Sequence, residues 1–234
     1  MKMNAWKTFL VSVRVVFGTK AMLGLMVPFL LFTLVTLLVP LVYTPSYTIS
    51  EIWDYFYNVV EAFAIYLGLL LLLAFYKIFV SGAIAGMVKH GAETGKASLG
   101  AGLVMGARKF LLILLASIPF ALMVMIGIAL LVIPGLLLVV LFIYFIPAIV
   151  IDNCGPLSSL RKSYRISRRN IGYSIALFII FLLTLIIPGI VIYFTRMLPE
   201  VTSLWVSAIL ATLFYMLLYP LIITTITIGY MNLK

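Results

Sequence analysis

The chain has 234 residues, of which 65% are hydrophobic and only 9% are charged. A soluble domain of this size could not hide so much apolar surface from water. The net charge is +10, but the basic residues lie at the ends of apolar runs, where membrane orientation explains them better than nucleic-acid binding does. We therefore predict an all-α integral membrane protein that binds no nucleic acid.

The first part of the chain predicts an interfacial helix followed by two membrane spans. Residues 2–20 place apolar side chains at helical spacing and interrupt them with Lys7, Arg14 and Lys20, a pattern typical of a helix at the membrane surface. The first span covers 21–43 and the second covers 59–80. Residues 44–58 between them are aromatic and acidic and contain no base, which predicts an outer loop.

Residues 81–109 are rich in glycine and contain three pairs of glycines four positions apart: Gly82/Gly86, Gly91/Gly95 and Gly102/Gly106. Such pairs allow helix backbones to approach closely. The same composition is also typical of a flexible inner loop, and the sequence leaves both interpretations open. Residues 96–109 are predicted to form a second interfacial helix.

Residues 110–151 contain no charge and are too long for one span. Because Pro-Gly is a turn signal, we predict spans at 110–132 and 136–151, joined by a tight outer turn at Pro134 and Gly135. The second of these is short, at roughly 24 Å of helix against roughly 30 Å of hydrocarbon. The last two spans are 171–195, which is predicted to break at Pro188 and Gly189, and 203–229.

The segment 152–170 fixes the orientation of all spans. It carries five basic residues within nine positions: Arg161, Lys162, Arg165, Arg168 and Arg169. Basic loops between spans stay in the cytoplasm, and placing this one there puts 15 of the 16 Lys and Arg on the inner side. The prediction is six spans in three hairpins in the cell membrane, with both termini cytoplasmic.

Two of the hairpins align weakly with each other. The alignment pairs Arg108 with Arg169 and Phe110 with Ile171. Parallel repeats are common in membrane folds, but Leu- and Ile-rich segments also align by coincidence, and the sequence does not separate these explanations.

The basic segment also predicts a binding site. Arg161, Arg165 and Arg168 are expected to form a stripe on an interfacial helix over 157–170, which Lys162 and Arg169 flank. Pro156 suits the first turn of this helix. Such a helix attracts anionic headgroups of the inner leaflet by up to about 1 kcal/mol per charge. The simpler interpretation is that these charges only set the topology.

Three stretches resemble a known group of proteins: Ile-Pro-Gly-Leu-Leu-Leu at 133–138, Phe-Ile-Pro-Ala-Ile-Val-Ile-Asp at 145–152, and Gly-Pro-Leu-Ser-Ser-Leu-Arg-Lys-Ser-Tyr at 155–164 with Arg-Arg-Asn at 168–170. The group comprises uncharacterised archaeal and bacterial multi-pass families and includes the membrane domain of glycerophosphodiester phosphodiesterases. The resemblance implies the helical architecture and no catalytic residues. The chain contains nothing similar to the soluble phosphodiesterase domain, so the resemblance does not imply that activity.

No arrangement of residues typical of catalysis or of a metal or cofactor site is found in the sequence. His90 and Glu93 could share one face of a helix, but no second His or further carboxylate lies near them. The spans contain no paired acids and no nucleophile with a base. We therefore expect no enzyme, no metal and no cofactor.

Two classes of function fit these observations. The first is a membrane module that binds or scaffolds lipids or partner proteins. The second is an oligomeric channel or uncoupled transporter for a small solute or ion, with a path lined by hydroxyl groups such as those of Thr33, Thr36, Thr184, Thr212, Thr224 and Thr225. Ion-coupled transport is disfavoured because Glu61 and Lys77, the ionisable residues inside or beside the spans, map towards the membrane surfaces.

Overall fold

The computed structural model describes residues 3–30, 52–195, 197 and 200–234, and the regular structure in these ranges is entirely helical. The helices follow the order α1 (Ala5–Gly18), α2 (Lys20–Gly24), α3 (Ile52–Thr94), α4 (Leu99–Leu130), α5 (Val132–Phe142), α6 (Phe145–Asp152), α7 (Pro156–Arg169), α8 (Ile171–Thr195) and α9 (Glu200–Leu233). The all-α prediction is confirmed for the described residues.

Within the described residues, five stretches are long and apolar enough to cross a membrane: Phe63–Thr94, Leu99–Leu130, Val132–Asp152, Ile171–Thr195 and Val206–Leu233. The pair Ala5–Gly18 and Lys20–Leu30 also passes this test as a unit, but its two helices meet at 80°. The predicted span 21–43 lies largely outside the described residues. Six spans in three hairpins therefore stay a prediction.

Helix α1 occupies the predicted interfacial segment 2–20 and packs against the end of α9. The Met3 N–H donates to Asn232 Oδ1, and the Asn232 amide donates to the Met3 carbonyl, both at 2.9 Å. The Thr8 and Tyr173 hydroxyls lie 2.7 Å apart, which joins α1 to α8. The opposite side of α1 exposes apolar side chains, among them Trp6.

Helices α3 and α4 are both longer than the sequence indicated. Helix α3 begins at Ile52, inside the predicted outer loop 44–58, and continues to Thr94. Helix α4 begins at Leu99 and absorbs the predicted interfacial helix 96–109. The Ser98 side chain caps its start by accepting a hydrogen bond from the Ala101 N–H.

Close packing between α3 and α4, which glycine makes possible, explains why both helices extend into residues 81–109, whose composition was also compatible with a loop. A Cβ on Gly82 would lie 3.3 Å from the Gly106 Cα, and a Cβ on Gly86 would lie 3.5 Å from the Gly102 Cα. The α3 and α4 backbones therefore touch along two glycine pairs. This contact favours close helix packing over a flexible loop at these positions. Gly95 has a φ of +78° in the turn that follows α3, a conformation that glycine adopts without strain.

The predicted turn at Pro134 and Gly135 is corrected by the structure. The chain reverses at Leu131, which is extended, and both residues lie in α5. Proline is favoured at the start of a helix because its missing N–H needs no partner there. A Cβ on Gly127 would lie 2.9 Å from the Gly135 Cα, so glycine again allows two antiparallel helices to touch.

The predicted short span 136–151 lies within the longer stretch Val132–Asp152, which has 21 residues. A straight helix of that length would measure roughly 31 Å. It is not one continuous helix, because α5 ends at Phe142 and α6 begins at Phe145.

The predicted break at Pro188 and Gly189 is also corrected, because α8 runs through both residues. A proline inside a membrane helix removes one backbone hydrogen bond, which neighbouring groups can replace.

The buried core lies where the second half of α3 meets the surrounding helices. Val80, Ile84 and Met87 are fully buried there. The first half of α3 instead exposes large apolar side chains such as Phe63 and Leu71. This division matches a helix that faces lipid along one part and protein along the other.

The glycine contacts generate a stability prediction. In the Gly102→Ala protein, the new Cβ would lie 2.8 Å from the Ala83 carbonyl oxygen, so α3 and α4 must separate. We expect a loss of about 1–3 kcal/mol, measured as a lower midpoint of thermal unfolding in detergent. The matched control is Gly68→Ala, because a Cβ on Gly68 has no neighbour within 4 Å. Equal midpoints for the two variants would contradict the close contact.

The charge distribution generates a topology prediction. In a Cys154→Ser background, a cysteine at Ser46 should react with an impermeant thiol reagent added outside intact cells. A cysteine at Ser158, which is exposed on α7, should react only after the cells are permeabilised. The reverse pattern would overturn the orientation.

Candidate functional site

Helix α7 carries the predicted basic stripe and has a second, buried face. Gly155 precedes the helix and Pro156 occupies its first turn. Ser159, Leu160, Ser163 and Ser167 are buried, whereas the arginines are exposed. A row of small hydroxyl side chains lets this helix pack tightly against the protein.

A short connection folds α7 back across α6. Asn153 follows the last residue of α6 and adopts the left-handed conformation with a φ of 55°, which asparagine tolerates better than most residues. The Cys154 N–H then donates to the Ala148 carbonyl at 3.4 Å. This pattern closes the end of a helix with a hydrogen bond.

The Ser163 hydroxyl forms hydrogen bonds with backbone groups on both sides of the junction between α5 and α6. It donates to the Leu141 carbonyl at 3.1 Å and accepts from the Tyr144 N–H at 3.0 Å. The Tyr144 hydroxyl in turn accepts a hydrogen bond from Ser174 at 3.3 Å. Unpaired backbone groups are costly in an apolar environment, so one side chain of α7 stabilises the interruption between α5 and α6.

Asp152 joins three helices through one carboxylate. Its side chain is only 7% exposed and forms ion pairs with Lys162, at 2.5 Å, and with Lys234. The Tyr230 hydroxyl also donates to it. Both carboxylate oxygens are thus engaged by α7 and α9, as a buried charge requires.

Lys162 therefore differs from the other predicted headgroup-binding residues. It pairs with Asp152, whereas Arg161, Arg165, Arg168 and Arg169 line an open groove of about 890 Å³. We call this the arginine groove. Its remaining lining is mostly apolar and comes from α4, α5 and α7: Met123, Phe142, Leu157, Leu160 and Tyr164.

The four guanidinium groups of the arginine groove have no carboxylate partner in the part of the chain that the structure describes. The one hydrogen bond that any of them makes there runs from Arg168 Nη1 to the Tyr164 hydroxyl at 3.5 Å, the upper limit for such a bond. The Tyr164 ring lies 6.3 Å from that of Phe142, which holds this wall in place. The groove thus offers free cationic donors beside an apolar surface.

Such a groove is suited to binding an anionic, partly apolar ligand. Guanidinium groups form paired hydrogen bonds with phosphate or carboxylate oxygens. Within the described ranges, no group of three or more His, Cys, Asp and Glu could hold a metal ion. The His90 ring contacts the Thr94 hydroxyl at 3.2 Å.

The hydroxyl groups considered as a pore lining bond mainly to their own helices. Thr184, Thr212 and Thr225 each donate to the carbonyl four residues earlier, at 2.7–2.8 Å. Thr224 contacts the sulfur of Met22. Thr33 and Thr36 lie outside the described residues.

Lys77 packs against aromatic rings of other helices. Its Nζ lies 4.8 Å from the Tyr215 ring centroid and 5.8 Å from that of Phe29. A cation over ring faces is attracted by their negative potential, so this lysine contributes to packing.

Sequence reasoning missed the roles of Asp152 and Ser163. A signal for Asp152 was present, because it is the single acidic residue between Glu93 and Glu200 and lies beside a run of five bases. Ser163 carried no such signal, because the break that it repairs is not marked by glycine or proline at residues 143–144.

One family model, described as a domain of unknown function (DUF7847), matches residues 56–232. The matched region contains Asp152, Ser163 and the arginine groove. No curated protein and no solved structure matches the chain.

The hydrogen bonds of Ser163 generate a stability prediction. The Ser163→Ala protein leaves the Leu141 carbonyl and the Tyr144 N–H without their partner, and we expect a loss of about 1–3 kcal/mol. Ser158→Ala is the matched control in the same helix, since the Ser158 hydroxyl is exposed and, among the described residues, bonds only to the Gly155 carbonyl. Thermal unfolding in detergent measures both variants. An unchanged midpoint for Ser163→Ala would contradict the role of its hydroxyl.

Proposed function

The chain belongs to the DUF7847 family, which is defined by a domain of unknown function, and from its residues we propose that it is a non-enzymatic membrane module that binds anionic lipid headgroups. The binding site is the arginine groove. The protein acts by holding lipid at a fixed place on its surface, with no chemical step.

The observation that carries this proposal is that the five bases of α7 differ in their contacts. Lys162 is used inside the protein, on Asp152, and the four arginines have no carboxylate partner among the described residues. A topology signal requires only basic residues on one side of the membrane. Alignment of four guanidinium groups along one groove with an apolar wall goes beyond that requirement and suits a phosphate attached to a hydrocarbon chain.

We place the groove at the cytoplasmic surface of the cell membrane, with both termini on the same side. The distribution of Lys and Arg supports this orientation. Anionic lipids of the inner leaflet are attracted by about 1 kcal/mol for each nearby basic residue. Four arginines would together supply about 4 kcal/mol of this attraction.

The alternative role as an oligomeric channel or uncoupled transporter receives less support. It requires a polar path across the membrane, whereas Thr184, Thr212 and Thr225 bond to their own helices. Lys77 is half-buried against aromatic rings.

Replacement of arginine by lysine tests the proposal while the charge is kept constant. The Arg165→Lys/Arg168→Lys protein should insert normally, because lysine serves the topology rule equally well. It should retain roughly three- to tenfold less anionic lipid on purification, because lysine lacks the planar, multi-donor guanidinium group. Native mass spectrometry across a salt series measures retention, which should fall as salt rises.

The matched control is Arg14→Lys/Arg108→Lys, which changes two exposed arginines outside the groove. It should retain lipid like the unmodified protein. Equal and salt-insensitive retention by all three proteins would leave the α7 arginines as topology signals only.

A further inference from the structure

We propose that the arginine groove recognises a lipid whose headgroup carries two phosphate groups, with the start of its hydrocarbon chains against Met123 and Phe142. This inference rests on the proposed function and specifies its ligand.

The spacing of the arginines is the first reason. Arg161, Arg165, Arg168 and Arg169 follow one another at i, i+4, i+7 and i+8, and all four line the same groove. Eight residues of α-helix measure about 12 Å along the axis. The cationic row is therefore longer than a single phosphate group.

The hydrogen-bonding capacity of the row is the second reason. A phosphate accepts paired hydrogen bonds from guanidinium groups, and one or two arginines are enough to surround it. Arg161 and Arg165 form one pair, a helical turn apart near the middle of α7, and Arg168 and Arg169 form a second pair of consecutive residues in its last turn. Consecutive side chains leave a helix roughly 100° apart, so the second pair meets at one phosphate only through the length of its side chains. In that arrangement each pair matches one phosphate of a headgroup that carries two.

Charge balance is the third reason. Like charges three or four positions apart on a helix repel each other, and no described acidic side chain lines this groove. A headgroup with one phosphodiester neutralises one of the four charges. Two phosphates linked within one molecule neutralise both ends of the row, and the second is bound at a high effective concentration once the first is in place.

The helix that carries the row is also fixed in place. The ion pair from Lys162 to Asp152 and the Ser163 hydrogen bonds attach α7 to its neighbours. A helix fixed in this way keeps the Cα atoms of its arginines at constant spacing, while the exposed arginine side chains are ordered only when a ligand binds. The apolar lining from Met123, Phe142, Leu157 and Leu160 continues from the cationic row and suits acyl chains.

The experiment compares lipids that differ in the number of phosphates. The full chain in detergent is equilibrated with cardiolipin, which has two phosphates, or with phosphatidylglycerol, which has one, at equal total phosphate. Native mass spectrometry should show one cardiolipin per chain, bound at least tenfold more tightly than phosphatidylglycerol. Equal binding per phosphate would overturn the two-phosphate inference and leave the proposed function standing. Binding of neither lipid would overturn both.

Variants at the two ends of the row give the second part of the test. Arg161→Gln and Arg169→Gln should each reduce cardiolipin binding to the level of phosphatidylglycerol, and each should leave phosphatidylglycerol binding within about twofold, because one arginine pair stays intact. Arg108→Gln, outside the groove, should change neither. If only one end mattered for cardiolipin, a single phosphate would be bound there and the inference would be wrong.

A soluble competitor separates the lipid from its headgroup. Glycerol 1,3-bisphosphate has two phosphates and no acyl chain, and at millimolar concentration it should not displace cardiolipin. Full displacement would show that the groove recognises phosphate without hydrocarbon and would overturn the lipid assignment.

Discussion

The carboxylate of Asp152 is the interaction on which the arrangement of the second half of the chain depends. It ends α6 and is contacted by Lys162 of α7, by Tyr230 of α9, and by Lys234, which directly follows α9. A carboxylate whose side chain is largely covered is stable only when its oxygens are satisfied. Its position therefore requires that α7 fold back over α6 and that the end of α9 lie beside both.

Helix α7 separates support from recognition by using two faces. Its buried face stabilises the interruption between α5 and α6 through Ser163 and packs Leu160 into the core beside Ile113 and Phe145. Its exposed face presents the arginines to the groove. The supporting contacts lie opposite the arginines. Substitution of the arginines should therefore change lipid binding with little effect on packing, so that binding and stability can be tested separately.

The sequence predicted the class of fold and several helix limits well. Span 171–195 coincides with α8, and span 203–229 lies within α9, because long apolar runs between polar residues are a strong signal. Local turn signals were weaker. Pro134 starts a helix and Pro188 lies within one, since proline is compatible with both places. The two hairpins that align weakly in sequence also differ in their helices. Helix α4 runs unbroken through Lys109, whereas the aligned segment breaks at Asn170.

The ionic contacts of Asp152 also bear on how the protein is made. A ribosome synthesises the chain from its N-terminus, so Lys162 is available to Asp152 soon after α6 has formed. Tyr230 and Lys234 follow only after α8 and most of α9 have been made. The contacts of Asp152 are thus completed at different times. Its charge is fully compensated only when Lys234, some eighty residues later in the chain, reaches the carboxylate.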